Sequence, residues 1–159
     1  MNKSEVIFLY YSRLITSDLF KNFLCFNIHP ALLPSFKGID GVHQFVNSGA
    51  RFLGCTLHLV DEGIDTGQII AQVSTPVKNQ LNENTANKIS FLQKVYVSLV
   101  GYSLLKDAYL DLAPCYSSVK WKKEVSLSHF ANPCLKDQYM LDLFKVLELE
   151  ENTLIQSPI

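Results

Sequence analysis

Phe23-Leu24-Cys25-Phe26-Asn27-Ile28-His29-Pro30 is the stretch that decides the reading of this chain. Phe23 to Ile28 is apolar except at Asn27, and the run ends at His29-Pro30. A short run that is apolar at consecutive positions reads as a strand covered on both faces, the kind found in parallel sheets.

The neighbouring segments build an α/β pattern around it. Upstream, Val6-Ile7-Phe8-Leu9-Tyr10-Tyr11 reads as another strand buried on both faces, and Ser17-Asp18 could cap a short helix running to Asn22. Downstream, Pro30, Pro34, Gly38 and Gly41 mark a structured loop, followed by a helix over 42–48 that Gly49 stops. Phe52 to Val60 alternates in part, with Leu53, Cys55, Leu57 and Leu59 on one side, and reads as a strand. Gln68 to Val77 is the next strand. The polar turn Asp61–Gly67 between these two strands suggests an antiparallel, hairpin-like pair. Asn84 to Asp111 is the longest helical candidate, with Ile89, Leu92, Val95, Tyr96, Leu99 and Val100 at helical spacing. Residues 112–134 look irregular, and Asp137 to Glu150 forms a second amphipathic helix with Met140, Leu143, Phe144 and Leu147 as its stripe.

The chain has 159 residues, 48% of them hydrophobic, which fits a folded core and argues against wholesale disorder. A formal charge of −1 gives no electrostatic reason to expect nucleic acid or an anionic membrane as a partner. No apolar run approaches the ~20 residues a membrane span requires. The short Val6–Tyr11 run lacks the flanks of a secretory signal, so a cytoplasmic location is expected. Cys25, Cys55, Cys115 and Cys134 form no CxxC motif, and no His cluster has metal-ligand spacing. Four reduced structural thiols and no metal are expected.

Ligands of open parallel sheets sit beyond the carboxyl ends of strands, which is where Asn27-Ile28-His29-Pro30 falls. Residues two apart on an extended segment point to the same side, so Asn27 and His29 face one space and Ile28 faces the other way. An amide that donates to an oxyanion beside an imidazole that moves a proton is a plausible acyl-transfer pair. Asp65 lies on the turn after a strand, and a carboxylate beside a His raises its pKa and orients it. The same residue types also serve structure alone. An Asn and a His at a strand end can satisfy loop backbone, and an Asp can cap its turn.

Two longer blocks narrow the choice. Asn27-Ile28-His29-Pro30-Ala31-Leu32-Leu33-Pro34-Ser35-Phe36-Lys37-Gly38 resembles a signature of the folate-dependent formyltransferases of the phosphoribosylglycinamide type. Gly54-Cys55-Thr56-Leu57-His58-Leu59-Val60, continuing through Asp61-Glu62-Gly63-Ile64-Asp65-Thr66-Gly67-Gln68-Ile69-Ile70, resembles that family's second block. The spacing from His29 to Asp65 is also the family's, and the similarity runs from about Tyr11 to about Val100. The resemblance implies the C-terminal part of the family's Rossmann-like, mostly parallel sheet, with an antiparallel strand pair and flanking helices. It implies a folate-side domain over 1–120 and a tail over 121–159. Asn27, His29 and Asp65 match the catalytic Asn, His and Asp. The formyl donor would be 10-formyltetrahydrofolate and the acceptor the amine of glycinamide ribonucleotide, in purine biosynthesis. Arg13, Leu14, Ile15, Phe20, Val60, Asp61, Glu62 and Ile64 would surround the folate, and Ile28 and Pro30 would touch substrate. His58 matches a His close to the site, and His43 is given no role.

The departures fall on the acceptor side. The family's Gly-Ser-Gly loop, which holds a phosphate at a helix N-terminus, is not found in this sequence, so a second chain is expected to supply it. The family's ribose-reading Glu falls near Leu92-Gln93. Two alternatives stand beside transfer to glycinamide ribonucleotide. One is hydrolysis of 10-formyltetrahydrofolate, although the hydrolases carry a second His where Pro30 stands here. The other is a non-catalytic remnant that binds folate or a partner through its sheet edge.

Overall fold

The computed structural model describes residues 6–10, 15–77, 79–106, 110–111 and 120–121. In chain order its elements are β1 (Val6–Leu9), α1 (Ser17–Asn22), β2 (Leu24–His29), α2 (Gly41–Ser48), β3 (Phe52–Leu59), β4 (Ile69–Pro76), α3 (Glu83–Lys106), β5 (Leu110–Asp111) and β6 (Lys120–Trp121). The first four strands form one sheet in the order β1-β2-β3-β4, and β5 and β6 form a separate two-stranded ladder.

The sheet is mixed. β1 runs parallel to β2, while β2·β3 and β3·β4 are antiparallel. The pair expected across the Asp61–Gly67 turn is β3·β4, and a second antiparallel pairing joins β3 to β2. Five of the six β2 residues are buried, as the apolar run requires, and only Asn27 is left partly open.

β1 departs from the expectation of a strand covered on both faces. It stops at Leu9, and all four of its residues are only half-buried. The cause is position: β1 is the edge of the sheet, and among the described residues no strand lies outside it.

α3 packs across β2, β3 and β4. The core on that face joins Leu24, Phe26 and Ile28 to Cys55, Leu57 and Leu59, with Val97, Val100 and Leu104 from the helix. At Gly101 a Cβ would come within 2.6 Å of Leu57 Cδ2, so the helix lies directly on the sheet. A second cluster joins Val42 and Phe45 of α2 to Leu53, Val77, Ala86 and Ile89.

The inward stripe of α3 is rotated from the expected one. Ala86, Ile89, Gln93, Val97, Val100 and Leu104 are buried, while Leu92, Val95, Tyr96 and Leu99 are half-buried. Gln93 takes a core position because its Nε2 donates to the Leu53 carbonyl at 3.2 Å and the Thr75 hydroxyl at 2.9 Å. Hydropathy alone cannot foresee such a partner.

Helix ends also differ in detail. Thr16, not Ser17 or Asp18, is the N-cap of α1, and it makes no side-chain capping bond. Asn82 caps α3, its Oδ1 accepting from Thr85 N at 2.9 Å. Gly49 ends α2 with φ +74, as its residue type suggests. The helix expected over Asp137–Glu150 lies outside the described residues.

Candidate functional site

The antiparallel β2·β3 pairing sets Asn27 opposite His58 and His29 opposite Thr56. These residues share the sheet face opposite the α3 core, because side chains alternate along each strand. The Asp61–Gly67 turn then returns over the same face and delivers Asp65.

The turn is held from within. Asp61 Oδ1 accepts from Gly63 N at 3.0 Å and from the Thr66 hydroxyl at 2.7 Å. Val60 N donates to the Cys25 carbonyl at 2.9 Å, which fastens the start of the turn to β2. Gly67 is required where it stands, since a Cβ there would lie 1.8 Å from the Leu59 carbonyl oxygen. Asp65 itself adopts φ +50, a left-handed conformation that Asp tolerates better than most residues.

Asp65 is the hub. Its Oδ2 lies 3.3 Å from His29 Nδ1 and accepts from Gly38 N at 2.8 Å, and its Oδ1 lies 3.5 Å from His58 Nε2. The other nitrogen of His29, Nε2, donates to the Phe36 carbonyl at 2.7 Å. His58 Nδ1 donates to the Leu59 carbonyl at 2.7 Å, and Asn27 Nδ2 lies 3.4 Å from His58 Nε2. Burial pushes the His58 imidazole below the ordinary histidine range, against the opposing pull of the Leu59 carbonyl and of Asp65.

A cleft of about 360 Å³ opens beside this group. Asn27, His58 and Asp65 form its polar end, and Leu9, Ile15, Phe20, Val60 and Ile64 supply apolar wall. Asp61, Glu62, Gly63 and Ser17 complete the lining. Leu9 and Ser17 add to the expected lining; only the parallel β1·β2 register shows that Leu9 lies beside Asn27.

The remaining expected residues divide in three. His29 does not line the cleft; it is 3% exposed and communicates with it through Asp65. Ile28 turns its side chain into the α3 core, as alternation demands, so that side chain is not available to substrate. Pro30 is half-buried beyond the end of β2 and does not line the cleft either. Arg13 and Leu14 lie outside the described residues. Glu62 sits at the exposed rim, 3.7 Å from Lys21.

A buried polar cluster, missed in the sequence, supports the loop after His29. The Thr56 hydroxyl donates to the Ala31 carbonyl at 2.7 Å and accepts from Leu33 N at 3.0 Å. Gln72 Nε2 donates to the Leu33 carbonyl and to the same hydroxyl. Cys55 Sγ donates to the His29 carbonyl at 3.0 Å, and burial pushes its thiol up to about 12. Cys25 and Cys55 are free thiols, while Cys115 and Cys134 lie outside the described residues. His43 lies apart, bound to Glu83 at 3.1 Å. Among the described residues no group of three or more His, Cys, Asp or Glu could hold a metal ion.

Residues 2–99 match the model of the formyl transferase family. The chain is 39% identical over 123 residues to the chloroplastic phosphoribosylglycinamide formyltransferase of Arabidopsis thaliana, covering 72% of this chain and 38% of that protein. It is 54% identical over 52 residues to the trifunctional purine biosynthetic protein adenosine-3 of Bos taurus, covering 33% of this chain and 5% of that protein. Among solved structures, glycinamide ribonucleotide transformylase 1 from Symbiobacterium toebii superposes with a TM-score of 0.61 at 27% identity, over 70% of this chain and 52% of the other. The chain thus spans about two fifths of the length of the plant relative and half that of the solved structure.

Proposed function

This chain belongs to the formyl transferase family, and from that premise we propose that it carries the donor side of formyl transfer to glycinamide ribonucleotide in purine biosynthesis. The observation that carries the reading is the convergence of Asn27, His58 and Asp65 on one end of the cleft, with His29 3.3 Å behind Asp65.

The cleft suits 10-formyltetrahydrofolate as cosubstrate. Leu9, Ile15, Phe20, Val60 and Ile64 offer apolar wall to a flat heterocycle, and the polar end receives the formyl group. Asn27 Nδ2 donates to the formyl oxygen as negative charge builds on it, an electrostatic contribution commonly worth ~10²–10³ in rate. Asp65 takes up the proton of the attacking amine as the new C–N bond forms, and that proton passes to N10 as the old N10–C bond breaks and tetrahydrofolate departs. His29 donates to Asp65 from behind and settles its charge; with Nε2 already given to the Phe36 carbonyl, Nδ1 is its working nitrogen.

The acceptor side is proposed to come from a second polypeptide carrying the Gly-rich phosphate loop. Residues 1–120 are proposed as the folate-side domain and 121–159 as a tail. A reducing compartment, the cytoplasm foremost, suits free thiols at Cys25 and Cys55. Among the described residues no helix is long and apolar enough to cross a membrane.

The test is formyl transfer from 10-formyltetrahydrofolate to glycinamide ribonucleotide, with and without that second polypeptide. The parent is expected to turn over, and His29→Ala to lose ~10²–10⁴ of the rate. Full activity in His29→Ala would overturn the assignment of the core.

A further inference from the structure

We propose that His58 is a positioning residue, which accepts from the Asn27 amide and thereby keeps the NH2 end of Asn27, rather than its carbonyl end, turned toward the His58–Asp65 side of the cleft. The inference rests on the reading of Asn27 as the oxyanion donor and adds what holds that donor in place.

A carbonyl oxygen can only accept, so the Leu59 carbonyl 2.7 Å from His58 Nδ1 requires a proton on Nδ1. The ring is 3% exposed, and burial favours its neutral form. Nε2 therefore carries a lone pair. Asn27 Nδ2 stands 3.4 Å from that lone pair, and the reverse amide orientation would set two acceptors face to face. Nothing on the other side of the amide makes the choice, because Asn27 Oδ1 is buried without a hydrogen-bond partner among the described residues. The orientation rests on His58.

Asn27 and His58 are also directly opposed across β2·β3, so the two side chains cannot drift apart without breaking the ladder. One hydrogen of the Asn27 NH2 group meets His58, and the second is left for substrate. Protonation of Nε2 would remove this preference. The charged ring would turn its new donor to Asp65 Oδ1 at 3.5 Å, or to a flipped Asn27 carbonyl. The titratable groups facing His58 are His29 from β2 and Asp61 and Asp65 from the turn.

Two substitutions separate positioning from simple structure. The carbonyl of His58→Gln reaches the Nε2 position and keeps an acceptor for Asn27. The amide of His58→Asn reaches the Nδ1 position, keeps the bond to Leu59 and offers Asn27 nothing. Nitrogen-15 NMR of the full chain near neutral pH is expected to show a protonated Nδ1 and an unprotonated Nε2. The Asn27 side-chain NH2 resonances should be kept in His58→Gln and shifted or broadened in His58→Asn. In the transfer assay, His58→Asn is expected to lose ~10²-fold in kcat with KM little changed, and His58→Gln to retain most of the rate. An Nε2-protonated tautomer in the parent, or a His58→Asn chain with parental NH2 resonances, overturns the proposal. If the parent transfers no formyl group, the functional reading fails, while the NMR measurements still decide the role of His58.

Discussion

At His29 both ring nitrogens face oxygen: the Asp65 carboxylate at 3.3 Å and the Phe36 carbonyl at 2.7 Å. Gly41 closes the space behind it, since a Cβ there would stand 3.3 Å from His29 Nε2. At His58 burial decides the balance. Its folded pKa is lowered by burial, so the unfolded chain binds its proton more readily than the folded one. Stability is therefore expected to be unaffected by His58 above its unfolded pKa of 6.5 and to fall as pH drops from there toward the lower folded value. Thermal melts from pH 8 to pH 5 should show that decline, and His58→Gln should flatten it. An equal decline in both proteins would assign the effect elsewhere. Asn27 and His29 were legible from their spacing at a strand end. Their relation to His58 was not, because a cross-strand neighbour is set by register, which no local pattern reveals.

The elements explain why the loop after β2 holds its shape. Phe36, Gly38 and Asp40 all have positive φ, and the segment is fastened at Ala31 and Leu33 by the Thr56 hydroxyl and Gln72. Thr56→Val keeps the shape of the side chain and removes that hydroxyl. It is expected to cost about 1–3 kcal/mol in urea unfolding, because Leu33 N loses its acceptor in a buried setting. A change below ~0.5 kcal/mol would show that the loop is held by other means. The order of strands and helices was readable from apolar runs and from turn residues such as Gly49 and the Asp61–Gly67 stretch. The face of α3 was not. Leu92 looked like core and Gln93 did not, yet two hydrogen-bond partners reverse that ranking.

For the whole molecule, the decisive fact is asymmetry between the two sides of the sheet's start. β2 and β3 are almost wholly buried, and β1 is half-buried with one edge unpaired among the described residues. Protection from hydrogen exchange should follow this order. Amides of β2 and β3 are expected to exchange only through large-scale opening, and those of Val6–Leu9 that face away from β2 much faster. Addition of the proposed second polypeptide should slow the β1 amides selectively; no slowing at β1 would argue that it docks elsewhere or not at all. The half-burial of this edge was hidden by the strong hydropathy of Val6–Leu9.

Asp65 combines a left-handed backbone with a carboxylate held by Gly38 N on one oxygen. Asparagine is the residue that fits this position almost as well: it tolerates positive φ, has the same shape and still offers an oxygen to Gly38. A single base change in an aspartate codon produces it. The charge facing the two histidines would vanish while the turn, the loop and the sheet stayed intact. On the role proposed for Asp65, such a change would remove the proton acceptor and leave the fold intact, so the residue at this position, more than overall similarity, would mark which relatives can carry the reaction.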